Sequence, residues 1–141
     1  MSFPQIYTTT AFSLLQSTVA IEAYVATGAK LGYQTLGICD RNVLTAAVNF
    51  FQICRKAGLK PVIGLHLDYY SPVQQGESEI LLFAENQAGY EKLILLSTQK
   101  MSEGRVQLED FLPSEDLTAV LLARNELSYL RYGHPELLPE R

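Results

Sequence analysis

Long hydrophobic runs, a basic face and paired cysteines are all missing from this sequence of 141 residues. No apolar run approaches the roughly 20 residues of a membrane span, so no membrane association is expected. Met1 is followed by neither a basic segment nor a long apolar one, which reads against a secretory leader. The two cysteines, Cys39 and Cys54, match no zinc-motif spacing. Cys39 sits in an apolar run and Cys54 on a helical stripe. Both are read as packed thiols in a reducing cytoplasm rather than a disulfide. Basic residues are outnumbered by acidic ones, 11 to 15, for a net charge of −4. Residues 1–70 carry five basic and three acidic side chains, while residues 71–141 carry six and twelve. Nothing here resembles the basic surface that phosphate backbones select, so direct nucleic-acid binding by this segment is not expected. The acidic second half reads as a solvated surface, with a basic partner as the alternative.

What is present supports a core. The chain is 48% hydrophobic and 18% charged, and 1–141 is read as a single domain with a loose tail from about residue 133. The organising stretch is Thr35 to Leu67. Leu36 to Cys39 is a short apolar run closed by Asp40, suited to a buried strand. Asn42 is the expected N-cap of a helix whose Leu44, Ala47, Val48, Phe51 and Cys54 form one stripe. Gly58 ends that helix, and Pro61 opens the next strand, Val62 to Leu67. Strand, helix and strand so close together predict a right-handed βαβ unit with parallel strands. The loops at the carboxyl ends of such strands carry chemistry, and here they present Asp40-Arg41 and His66-Asp68.

Upstream, Phe3 to Thr8 is expected as a first strand, then a helix capped by Ser17 with Ile21, Tyr24, Val25 and Ala29 on one side, stopped by Gly32. The opening thus reads βαβαβ. Downstream, Ser71 to Glu79 is a loop, and Ile80 to Ala84 a strand returning like a hairpin onto Leu67 to Tyr70. Asn86 caps a helix with Tyr90, Leu93, Ile94 and Ser97 on one face. A short helix over Leu108 to Leu112 and a strand over Leu117 to Ala123 follow. From Glu126 a helix is expected to begin and to break at His134-Pro135. His134 is read as exposed and without a role. Four or five strands do not close a barrel, so the chain is expected to be the first part of a longer fold.

The ordered set FSLLQS at Phe12–Ser17, LGICDRN at Leu36–Asn42, KAGLKPVIGLHL at Lys56–Leu67 and ILLFAENQAGYEKLILL at Ile80–Leu96 resembles the polymerase and histidinol phosphatase (PHP) domain. The version it is most similar to is the amino-terminal PHP domain of bacterial DNA polymerase III alpha subunits. The resemblance runs from about Phe3 to Ala123. It implies an α/β fold, the first half of a distorted (β/α)7 barrel with a divalent-metal cluster, such as Zn or Mn, at the carboxyl ends of its strands. It also implies a parent DNA-directed DNA polymerase, a nucleotidyltransferase of DNA replication.

At the positions that match the family's ligands, this sequence departs from the pattern. Tyr7 and Thr9 stand where the family has His-x-His, with Gln5 and Gln16 at two further frequent ligand positions. Asp40 is kept, but Arg41 replaces the following histidine, and His66 replaces a glutamate. A cluster needs neutral imidazoles and carboxylates converging at about 2.0–2.2 Å. Tyr7 is protonated near neutral pH, Thr9 is a weak neutral donor, and Arg41 is a permanent cation. The metal site is therefore expected to be vestigial, with no catalytic residue and no cofactor in this segment. Asp40 is expected to pair with Arg41 or to cap its loop, with a reduced Asp40–His66 metal site as the alternative. His66 otherwise hydrogen-bonds at the barrel mouth.

Three functions follow. The first is a non-catalytic segment that supports the polymerase chain or docks a proofreading or replisome subunit. The second is a metal-dependent phosphoesterase or 3′–5′ exonuclease with a reduced site. The third is a stand-alone αβ binding module. An open half-barrel is also expected to self-associate through its exposed sheet edge or to cap that edge with its tail. Arg55, Lys56 and Lys60 make a small basic spot, read as solvated helix-end cations.

Overall fold

The computed structural model describes residues 4–11, 20–72, 75–112 and 114–122. Among the described residues there are three α-helices, α1 (Ile21–Lys30), α2 (Ala47–Lys56) and α3 (Gln87–Glu103). The described strands are β1 (Thr35–Arg41), β2 (Lys60–Ser71), β3 (Gly76–Ala84) and β4 (Leu117–Leu121), and they form one sheet in the order β1-β2-β3-β4. The chain divides into two compact units, Met1–Leu65 and His66–Arg141, with β2 running through the division.

In the first unit, Ile21 and Val25 of α1 meet Leu36 and Ile38 of β1, together with Ala46, Phe50, Cys54 and Leu59. The Tyr24 ring stacks on Phe50 with centroids 6.1 Å apart, and its hydroxyl donates to the Gly37 carbonyl at 2.9 Å. A polar atom on a buried ring needs such a partner. The expected first strand over Phe3 to Thr8 is reduced to an isolated parallel bridge between Gln5 and Leu36. The segment still runs along β1: Gly37 N donates to Gln5 O at 2.6 Å and Cys39 N to Thr8 O at 2.8 Å.

Helix faces differ from expectation in detail. On α1, Gly28 rather than Ala29 is buried. Asn42 does not cap α2; it adopts φ +59°, and the helix starts five residues later with Ala46 as its N-cap. The buried stripe of α2 is Ala47, Phe50 and Cys54, while Val48 and Phe51 are exposed. With two adjacent phenylalanines either stripe is apolar, and the Tyr24–Phe50 stack accompanies Phe50 inside. Gly58 ends the helix as expected, at φ +73°, a conformation open to glycine without strain.

In the second unit, β3 and β4 pair antiparallel, with Ile80 opposite Leu121 and Ala84 opposite Leu117. Asn86 caps α3 as expected, its side-chain oxygen accepting from Gly89 N at 2.9 Å. Lys92 and Asn86 both donate to the Asp116 carboxylate, at 2.8 and 3.0 Å, tying the start of α3 to the approach of β4. The buried face of α3 is Gly89, Leu93 and Leu96, whereas Ile94 is exposed. The short helix is a single 3-10 turn over Leu108–Asp110. Tyr69 is fully buried and meets Phe111 edge-on at 5.4 Å, and the Arg105 guanidinium lies 3.7 Å above the Tyr70 ring. The Tyr69-Tyr70 pair is thus packing. The expectations for Phe12–Ser17, including Gln16 and the Ser17 cap, and for the tail with His134, lie outside the described residues. No helix among the described residues is long and apolar enough to cross a membrane.

Candidate functional site

Asp40 is carried by β1 near its carboxyl end and is buried. Both of its oxygens accept from one residue: Oδ1 from Thr10 N and Oδ2 from Thr10 Oγ1, each at 2.6 Å. Thr10 is itself fully buried. The sequence alone suggests that Asp40 pairs with Arg41 or caps its loop, and it does not point to Thr10. A charged carboxylate accepting two short bonds is a strong local tie. It fastens residues 8–10, which include Thr9, beside β1. Tyr7 is 43% exposed.

Next to Asp40, burial and then the Asp40 charge push the Cys39 thiol up to about 12, and burial pushes Cys54 up to about 11. Both cysteines are free and buried, as expected. Neither is a nucleophile at neutral pH, because the thiolate is the reactive form. At the α2–β2 turn, Arg55 and Lys60 line a hollow with Gln34, Thr35 and Gly58.

His66 opens the second unit and is gathered into a different constellation. His66 and Asp68 lie two residues apart on β2, so both project to one face of the strand. They are 4% and 6% exposed. Glu79, on the neighbouring strand β3, completes the group: one ligand-type atom from each of His66, Asp68 and Glu79 lies within 4.8 Å of the others. His66 Nε2 is 3.4 Å from Glu79 Oε2. That is longer than a well-formed N–H···O bond, and it is an ion pair only when the imidazole is protonated. Sequence reasoning presents His66 and Asp68 together but misses Glu79, which it places in a loop. The signal available was the His-x-Asp alternation facing a glutamate across a hairpin.

Comparison with known proteins places the chain in a family. A crystal structure from Bifidobacterium adolescentis, assigned as a candidate metal-dependent phosphoesterase, matches 72% of this chain and 37% of its own, with a TM-score of 0.50 and 19% sequence identity. That likeness is one of fold. The family model for the PHP domain matches residues 7–138, and the chain belongs to the PHP domain family. DNA polymerase III subunit alpha of Streptococcus pyogenes is 33% identical over 120 residues, 85% of this chain. Its counterpart in Bacillus subtilis is 30% identical over 106 residues, 74% of this chain. The chain spans only 11% and 10% of the length of these two relatives.

Proposed function

We propose that this chain is the PHP segment of a replicative DNA-directed DNA polymerase of the DNA polymerase III alpha type, with a structural or partner-docking role and no hydrolytic chemistry of its own. The observation that carries the reading is Asp40: both oxygens of the one carboxylate kept at the family's ligand positions in β1 accept from Thr10. The other positions that correspond to the family's ligands carry an exposed phenol at Tyr7, a hydroxyl at Thr9 and the fixed cation of Arg41. This donor set does not fit a family-type divalent cluster. A guanidinium cannot lose its proton to become a ligand, and a phenol and a hydroxyl do not replace the imidazoles a divalent ion selects.

In this reading the four-stranded sheet is part of a PHP-type (β/α)7 barrel, completed by the remainder of a cytoplasmic polymerase chain. A proofreading or other replisome subunit is the further candidate partner. An isolated chain then tends to self-associate through the open edge of the sheet, which sedimentation at rising concentration detects. The decisive test is hydrolysis of a 3′-labelled oligonucleotide with Mn²⁺, Zn²⁺ or Mg²⁺ added. The expected result is no release of nucleotide above buffer. Release that disappears in Asp40→Asn defeats the reading and restores a reduced exonuclease site.

A further inference from the structure

We propose that His66, Asp68 and Glu79 bind one first-row divalent cation, Zn²⁺ or Mn²⁺, which fastens the β2–β3 hairpin and takes no part in phosphoester hydrolysis. The inference goes beyond the polymerase reading and uses none of the β1 positions. Two of the three donors, Asp68 and Glu79, lie outside the positions that correspond to the family's ligands. All three belong to the second unit.

The donors come from two adjacent strands joined through residues 72–75, so they are held by the ladder rather than by a mobile loop. Burial supplies the driving force. His66 and Asp68 are almost wholly inside and the Glu79 side chain is 23% exposed. Away from bulk water the local dielectric is lower, so two carboxylates attract a dication more strongly there than at the surface. A dication matches the charge of two carboxylates and a neutral imidazole.

Geometry agrees. Two ligand atoms held about 2.1 Å from a tetrahedral centre lie about 3.4 Å apart, and His66 Nε2 and Glu79 Oε2 are 3.4 Å apart. The third donor is already within 4.8 Å, so a side-chain adjustment of about an ångström closes the site around an ion of this size. One nitrogen and two carboxylate oxygens suit Zn²⁺ or Mn²⁺ better than Mg²⁺, which prefers oxygen and retains its water.

The test uses the 141-residue chain, stripped with chelator, then equilibrated with Zn²⁺ or Mn²⁺ and freed of unbound metal. Elemental analysis is expected to find about one equivalent, with an apparent affinity that falls with pH as ligands protonate. Asp68→Asn and Glu79→Gln, both isosteric, each weaken binding at least about tenfold. Glu77→Gln, which alters only an exposed partner of Lys100, leaves it unchanged. Independently of any variant, Mn²⁺ is expected to broaden backbone amide resonances of His66–Tyr70 and Gly76–Ile80 first. Less than about a tenth of an equivalent bound, undiminished binding in the Asp68→Asn/Glu79→Gln chain, or broadening centred on other residues overturns the proposal.

Discussion

Asp40 and Thr10 are joined twice, through the backbone amide and through the hydroxyl, both at 2.6 Å and both buried. The pair fixes the residues before position 11 against β1, beside the Gln5–Leu36 bridge and the backbone bonds that Gly37 and Cys39 donate to Gln5 and Thr8. Hydrogen bonds to a charged group are worth about 1.5–3 kcal/mol. Thr10→Val removes one of the two while preserving shape, so it is expected to lower stability by about that amount. Thr10→Ser keeps the hydroxyl and is expected to lose less. Urea unfolding of the three chains measures both. Equal midpoints for Val and the parent would show that the hydroxyl contributes nothing.

Gly37 allows the same segment to approach. A Cβ built there would lie 2.6 Å from the Ile6 carbonyl oxygen and 2.7 Å from Ile6 Cα, backbone atoms that cannot rotate away. Gly37→Ala is expected to destabilise by about 1–3 kcal/mol, the usual penalty for overpacking. Gly58→Ala meets open space and is strained only by its positive φ. Its loss is expected near 1 kcal/mol. Reversal of that order in thermal unfolding would mean that residues 5–8 are not held against β1 in solution.

These two sites show where the sequence was legible. Helix ends at Gly58 and the Asn86 cap were readable because each depends on one residue's own chemistry. The hairpin return and the β4 strand were readable from apolar runs bounded by turn residues, but β3 begins at Gly76, inside the polar stretch read as a loop. Helix faces were harder. In α2 the pairs Ala47-Val48 and Phe50-Phe51 offer two apolar stripes, and a contact with another helix is associated with the buried one. At the candidate sites, Asp40 and the His66-Asp68 pair stood out as chemistry-bearing residues, but Thr10 and Glu79 did not. Thr10 lies 30 residues before Asp40 and Glu79 lies 13 after His66. Such pairings depend on strand register, which local pattern does not specify.

Acid is expected to loosen the start of α3. The Lys92 ammonium, then the Asn86 amide, hold the Asp116 carboxyl below its ordinary 3.8. A lowered carboxyl stabilises the fold above the unfolded value and loses that contribution as pH falls through the folded one. Stability therefore declines on the acid side of 3.8 through this group. In Asp116→Asn the decline is shallower. Because the group is exposed, added salt weakens the effect in the parent. A set of urea midpoints across acid pH, at low and high salt, reads the slope. Identical slopes for parent and variant would remove Asp116 from the account.

The buried thiols make the opposite prediction at high pH. Cys39 ionises at 9.0 when exposed and at about 12 in the fold. The native state therefore favours the neutral thiol, and its contribution is complete below 9.0. As pH rises from there towards about 12, the unfolded thiolate gains and stability is lost. The stability difference between the parent and Cys39→Ala should shrink over that range. At neutral pH an aromatic disulfide reagent should find neither Cys39 nor Cys54 until urea opens the core, because both side chains are fully buried. Rapid reaction of both thiols in the native protein would place them at the surface and undo the packing assigned to the first unit.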